Sequence, residues 1–448
     1  MIAIKIRATY AIFAGAAGIF LMNFATAGVP VTHWTQDSGV QVFLATSPAI
    51  PMVDVRIEFD AGSRRDPRDK AGLSSLMVAA MAYGVRATST APALDENGLS
   101  DAWADLGASF GGSAGSDRLS FSLRSLTYPD LLVQATALAA RQMAEPAFPQ
   151  ALWLRDRPKM VASIKEANTR PSTLAARAFG RAVYGDHPYG YEVTEETLGR
   201  ISVQDMRAVH ASAVRACDAK VSIVGALDRV QADALVKQLF AHVVAVQCVA
   251  QTAPPLPEVE PLVTASEQRI AFPSAQAHVL LGQPGFKRND PDFFALTVGN
   301  HILGGGGFTA RLTEEVREKR GLTYSVSSYF APALHAGAFT IGLQTRPDQA
   351  QQALDLVREV LSKFVREGPT ERELQAAKDN LIGGFALRID SNKKLLDNLA
   401  NIAWNDLPLD YLDTWTAQVQ KLTAEDIRLA FARVLQPQAM AAVVLGAQ

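Results

Sequence analysis

Hydrophobic positions recur at helical spacing between Gly72 and Gly84, where Leu73, Leu76, Met77, Ala80 and Met81 fall on one side. That spacing predicts a buried amphipathic helix. Upstream, Val53, Val55, Ile57 and Phe59 alternate with Asp54, Arg56 and Glu58, the period of a half-buried strand, and Asp60 to Ser63 reads as the turn after it. Downstream, the polar stretch Thr88 to Asn97 predicts a loop, followed by a short helix through Trp103 and Leu106. Two strands come next, Ser109 to Ser113 and Asp117 to Leu123, split by Ala114-Gly115-Ser116. Pro129 then opens a long helix, to about Met143, that places Leu131, Leu132, Ala135, Leu138 and Ala139 on one side.

The same order returns in the second half. A strand from Ala277 to Gly282 precedes a charged loop (Lys287 to Pro291), an apolar helix from Phe293 to Leu303 and the run Gly304 to Gly307. Strands around Tyr324 to Tyr329 and Ala338 to Leu343 lead to Pro347-Asp348, which open a long helix through Leu354, Val357, Val360 and Leu361. Each copy also closes alike. Ser202 and Thr423 each cap a helix, and each helix leads to a short apolar strand ending in Gly225 or Gly446. Asp205 stands as far from Asp426 as Gly225 does from Gly446. The repeat predicts an α+β fold of two homologous domains, residues 28–250 and 266–448, each an antiparallel sheet with helices packed on one face. Residues 251–265, which include Pro254, Pro255 and Pro257, are expected to form an extended linker. Two copies indicate duplication; a solenoid needs more.

A chain of 448 residues exceeds one ordinary core, which agrees with two domains. A formal charge of −2 leaves no basic footprint for nucleic acid and no polybasic membrane tether. The N-terminus has another character. Lys5 and Arg7 precede an apolar run from Ala8 to Met22, and Ala25-Thr26-Ala27 follows before Gly28, the layout of a secretory signal (residues 1–27) cleaved after Ala27. An exported, periplasmic protein is therefore expected, with an uncleaved N-terminal anchor as the alternative. No cysteine follows the apolar run to carry a lipid, and no other stretch reaches the roughly 20 apolar residues of a membrane helix, so stable membrane insertion is not expected. Cys217 and Cys248 either pair, closing a loop of one strand and one helix, or remain separate buried thiols. With no histidine beside them they are not a metal site.

Several local strings narrow the reading: His187-Pro188-Tyr189-Gly190, the run from Leu303 through Gly304–Gly307 to Phe308, Arg311-Leu312 and, most specific, Val316-Arg317-Glu318-Lys319-Arg320-Gly321-Leu322-Thr323-Tyr324-Ser325. With the Gly72-Leu73 helix and the duplicated layout, the mature chain resembles the pitrilysin/insulinase family of zinc peptidases. In that family the first helix carries H-x-x-E-H, in which two histidines one turn apart hold Zn²⁺ and the glutamate activates a water. Aligning Gly72-Leu73 with the family's Gly-Leu puts Ser75, Val78 and Ala79 at those positions, a hydroxyl and two hydrocarbons. The family's third ligand, a glutamate on a later helix, falls at Ala162 or Ser163. Glu166 lies about one turn further along and reads as a solvated helix-end charge. In the second copy the matching helix, Ala295 to His301, offers one lone histidine, read as structural because a catalytic zinc needs three protein ligands.

The resemblance further implies an Arg and a Tyr seven residues apart that hold the peptide carbonyl as charge develops on it; Arg317 and Tyr324 match, although the residue types alone fit an exposed helix-end arginine beside a half-buried strand tyrosine. It implies no cofactor of the chain's own, zinc in a presumed zinc-binding family paralogue as heterodimer partner, and a peptide as substrate. The implied role is that of a non-catalytic subunit completing the partner's active site; a scaffold or peptide-binding protein without catalytic contribution is the alternative. Ser74 and Ser75 have no nearby His or Lys to activate a nucleophile. Gly304 to Gly307 lacks the Lys and spacing of a phosphate loop and reads as a helix terminator.

Overall fold

In the computed structural model, residues 30–243 and 256–446 are described. The expected signal segment, Cys248, and residues 251–255 of the expected linker lie outside them. The first half runs β1 (Val31–Thr35), β2 (Gln41–Thr46), β3 (Met52–Phe59), α1 (Leu73–Ala80), β4 (Gly84–Val85), β5 (Leu94–Asp95) and α2 (Glu96–Asp105). It continues with β6 (Ser109–Ala114), β7 (Leu119–Leu126), α3 (Pro129–Ala144), α4 (Gln150–Ala167), α5 (Pro171–Tyr184), α6 (Glu195–Arg200), α7 (Val203–Ala213), β8 (Ala219–Gly225) and α8 (Arg229–Leu239). The second half has β9 (Ser266–Ile270), β10 (Ala277–Pro284), α9 (Phe293–Asn300), β11 (Val326–Phe330), β12 (Ala338–Thr345), α10 (Ala350–Glu367) and α11 (Glu371–Gly383). It closes with α12 (Asn392–Trp404), α13 (Tyr411–Lys421), α14 (Ala424–Val434) and β13 (Ala441–Leu445).

The alternating strand β3 shows how each sheet is built. Val53, Val55, Ile57 and Phe59 are fully buried against a helical layer that includes α1, α3 and α8. The first sheet has the order β1-β2-β8-β3-β7-β6 and the second β9-β13-β10-β12-β11, so apart from β1 the two match strand for strand. The matching caps at Ser202 and Thr423 form reciprocal boxes with Asp205 and Asp426.

The α+β class read from the sequence holds, and two particulars differ from it. Each sheet is mixed: β2 runs parallel to β8, and β9 to β13. Parallel neighbours need a long crossover in place of a hairpin, and the helices between β2 and β8 supply one. Helices also cover both faces, and the second covering comes from the opposite half. Helix α5 lies on β10 and β13, where Ala175, Ala178, Phe179 and Val183 meet Ala441, Val443 and Leu445. Helix α12 lies on β8 and β3, where Leu395, Leu396 and Leu399 meet Phe43, Ala45 and Val224. The polar alternates of β3 are consequently enclosed, and each finds a charge. Glu58, 1% exposed, lies 2.9 Å from Arg118, and Arg56 reaches Asp397 on α12 at 2.8 Å.

A polar clasp also joins the halves. Asp117 accepts hydrogen bonds from the Tyr189 hydroxyl (2.6 Å), the Arg64 guanidinium (3.1 Å) and the Leu334 amide (3.0 Å). His187 accepts from the Tyr189 amide through Nδ1, so its Nε2, 3.1 Å from the Pro257 carbonyl, is the donor. The His335 ring stands 5.4 Å away and contacts Glu258.

Burial holds His187 below the ordinary histidine value, although the Pro257 carbonyl works the other way. The folded state then binds fewer protons than the unfolded chain, so this stability is present above about pH 6.5 and is lost as pH falls below it. Thermal melts are expected to drop from pH 7.5 to 5.5, with a shallower slope in His187→Asn; some slope persists because His210, His278 and His301 are depressed by burial too. Leu399→Ala, which empties a fully buried contact between α12 and the first sheet, is expected to cost about 2–5 kcal/mol in urea unfolding.

Candidate functional site

Helix α1 is held by its start and its inner face. Asp66, ahead of the helix, accepts from the Gly72 amide, the Ser74 amide (both 3.0 Å) and the Ser74 hydroxyl (2.6 Å), supplying the cap that Gly72 has no side chain to provide. Burial pushes this carboxyl up despite those bonds. Leu73, Met77 and Ala80 face the core, and the helix packs on α7 and on β6, the outer strand of the first sheet. Ser74 is thus a capping residue, with no imidazole among its bonded partners.

Ser75 and Ala79 are exposed, one turn apart on the outward side of α1. Val78, 6% exposed, lies inward against β6, where a Cβ on Gly112 would come within 2.6 Å of its Cγ1. The strand approaches this helix closely only because residue 112 is glycine, and an isopropyl group fills the contact. On α4, Ala162 and Ser163 are exposed, and Glu166 is exposed and ion-paired with Arg170. A hydroxyl on α1, one on α4 and hydrocarbons elsewhere do not make a donor set for Zn²⁺. Among the described residues no group of three or more His, Cys, Asp or Glu is placed to hold a metal ion.

The second half places its candidates differently. Arg317 and Tyr324 line one cleft of about 570 Å³ beside β11, together with Phe308, Tyr329, Asn300 and Ser328. The Arg317 guanidinium lies over the Phe308 ring, 4.8 Å from its centroid, and its Nε is 3.2 Å from Glu318 Oε1. Tyr324 is 86% exposed. The turn that carries it is pinned by Thr323, whose hydroxyl donates to the Gln344 carbonyl (2.6 Å) and accepts from the Ser325 amide (3.1 Å). His301 lines a separate and larger cleft with Arg311 and Glu373, so it is not brought to Arg317 and Tyr324. Cys217 is half-buried near Arg215.

Two π-turns frame the Arg317 cleft, His301–Gly305 and Thr313–Glu318. The glycine run does not stop the helix at Gly304, as its composition suggests; the first two glycines continue it in the wider winding. Glycine is required there by proximity, since a Cβ on Gly304 would lie 2.5 Å from the Ser328 hydroxyl. Asn300 fastens this turn to β11, donating to the Ser328 carbonyl (3.1 Å) and accepting from its hydroxyl (2.7 Å). Sequence reasoning missed Asn300, Phe308 and Tyr329; the glycine run was the one signal that the backbone there does something unusual.

Residues 200–381 match the family described as the peptidase M16 inactive domain. Among solved structures, the peptidase M16 inactive domain from Pseudomonas fluorescens is similar at a TM-score of 0.86 and 34% identity, over 94% of this chain and 98% of that one. A protein of Helicobacter pylori described as a non-peptidase homolog is 25% identical over 423 residues, 92% of each chain. An uncharacterized zinc protease of Streptomyces coelicolor is 27% identical over 279 residues, and that match spans 59% of this chain and 58% of the other.

The donor set makes a direct prediction. After incubation with zinc and desalting, the purified chain should carry well under one equivalent of metal by elemental analysis; a full equivalent would refute the assignment of Ser75, Val78 and Ala79 to the ligand positions.

Proposed function

The chain belongs to the pitrilysin/insulinase (M16) peptidase family, and from that premise we propose that it is a non-catalytic subunit of an exported, periplasmic zinc peptidase. Its partner in this reading is a zinc-binding paralogue carrying H-x-x-E-H, and the two chains together enclose an extended peptide. The observation that carries the proposal is a contrast within one molecule. At the positions that the family resemblance assigns to metal ligands, α1 carries Ser75, Val78 and Ala79, which offer no imidazole or carboxylate, while a guanidinium and a phenol seven residues apart line a single open cleft.

Those two groups suit the handling of a peptide carbonyl. Glu318 meets Arg317 at Nε, and a guanidinium carries five N–H donors, so it can also donate to a peptide oxygen. The stacking on Phe308 holds the planar group in place before a substrate arrives. The Tyr324 hydroxyl is a second donor. Both stabilise negative charge as the carbonyl carbon becomes tetrahedral, provided that water is excluded when the chambers close. The peptide backbone, extended, would add a strand to the edge of the partner's sheet.

The test uses this chain mixed with a family paralogue that carries the zinc motif. The mixture should cleave peptide and this chain alone should not. Arg317→Gln should lower turnover of the mixture about 10²-fold or more, with assembly by size-exclusion chromatography unchanged. Unaltered turnover in that variant would point instead to a scaffold or peptide-binding protein with no catalytic contribution.

A further inference from the structure

Aromatic side chains left in solvent are unevenly placed on this molecule. Among the described residues the largely exposed ones are Tyr128, Phe308, Tyr324 and Tyr329, and the last three line the Arg317 cleft. Phe308 is 74% exposed, so its ring supports Arg317 on one side and meets water over most of its area. Clustered apolar surface of this kind marks a binding site more often than it marks idle surface. Ser325 and Ser327 add exposed hydroxyls that can bond a peptide backbone, while Asn300 and Ser328 are engaged with each other.

Charge narrows the occupant. Arg317 is the single charged residue of the lining, and Glu318, which engages its Nε at 3.2 Å, stands outside that lining. The neighbouring cleft of about 950 Å³ differs, because Arg311, Lys363, Glu315 and Glu373 mix both signs there and Arg311 is closed onto Glu373 at 2.6 Å. Both signs line that cleft, whereas the one charge on the wall of the Arg317 cleft is positive.

We propose that the Arg317 cleft selects its peptide, taking a segment with an aromatic side chain beside the carbonyl that Arg317 holds and disfavouring a Lys or Arg next to it. The inference rests on the peptide-handling reading above and adds the substrate class. Phe308 and Tyr329 cover the incoming ring, and Arg317 accepts a neutral or acidic neighbour.

Fluorescence anisotropy of the full chain with labelled octapeptides tests it. The probes share an alanine-based sequence with blocked ends, carry Phe or Ala at the centre, and have Asp or Lys beside it. The Phe probe is expected to bind about tenfold more tightly than the Ala probe, the scale of burying one large apolar side chain. Lys beside the ring should weaken binding several-fold, an effect that added salt reduces. Phe308→Ala should bring the Phe-to-Ala ratio to within about twofold, while Tyr128→Ser, outside the cleft, leaves the ratio as it was. Equal binding of the Phe and Ala probes, or a ratio that survives Phe308→Ala in a chain whose circular dichroism is unchanged, overturns the selection and leaves the peptide-handling reading standing. Binding of none of the probes overturns the selection too, whereas the peptide-handling reading is decided by the turnover of the mixture.

Discussion

Each sheet of this protein presents apolar side chains on both faces, and its own half of the chain covers only one of them. The second face is closed by a helix sent across from the other half, α5 onto β10 and β13, and α12 onto β8 and β3. Neither half can leave without baring Phe43, Ala45 and Val224 on one sheet, or Ala441, Val443 and Leu445 on the other. Burial of that area sets the relation between the halves, and Asp117, Tyr189 and His187 refine it with directional bonds. The charged alternates of β3 fit the same scheme. They lie under α12, where Asp54, Arg56 and Glu58 pair with Arg124, Asp397 and Arg118, and burial still pushes the Glu58 carboxyl up.

Locking the two sheets fixes where chemistry can sit. In both halves a helix follows the strand that lies third from the β6 or β11 edge, and that helix packs beside the outer strand: α1 beside β6, α9 and its π-turn beside β11. The duplicated geometry has diverged in use. Around α1 the helix is held by the Asp66 cap and the close approach of Gly112, and its side chains at 75, 78 and 79 are a serine, a valine and an alanine. Around β11 the backbone has departed from regular winding, and the departure brings the segment bearing Arg317 and the strand following Tyr324 to one cleft. Regular support with aliphatic and hydroxyl side chains stands in one place, and irregular backbone with a guanidinium and a phenol in the other.

Much of this was open to inspection in the chain alone. The alternation in Val53–Phe59, the capping pairs Ser202–Asp205 and Thr423–Asp426, and the spacing of Pro129 and Pro347 are local signals, so elements and the internal repeat follow from them without tertiary information. The absence of metal donors at Ser75, Val78 and Ala79 is likewise a statement about residue types, which no fold can change.

What the sequence could not determine is what depends on non-local pairing. Whether β8 runs with or against β2 is set by the crossover path, since β8 itself reads as an apolar run in either direction. That α5 and α12 belong to the opposite sheets is invisible because an amphipathic stripe states that a face is buried and not against what. The close approach of Gly304 to Ser328, the pinning of β11 by Asn300 and the stacking of Arg317 on Phe308 are contacts that exist only in the folded chain. Residue chemistry decided what this protein lacks; the packing of two sheets against exchanged helices decided where its remaining donors meet.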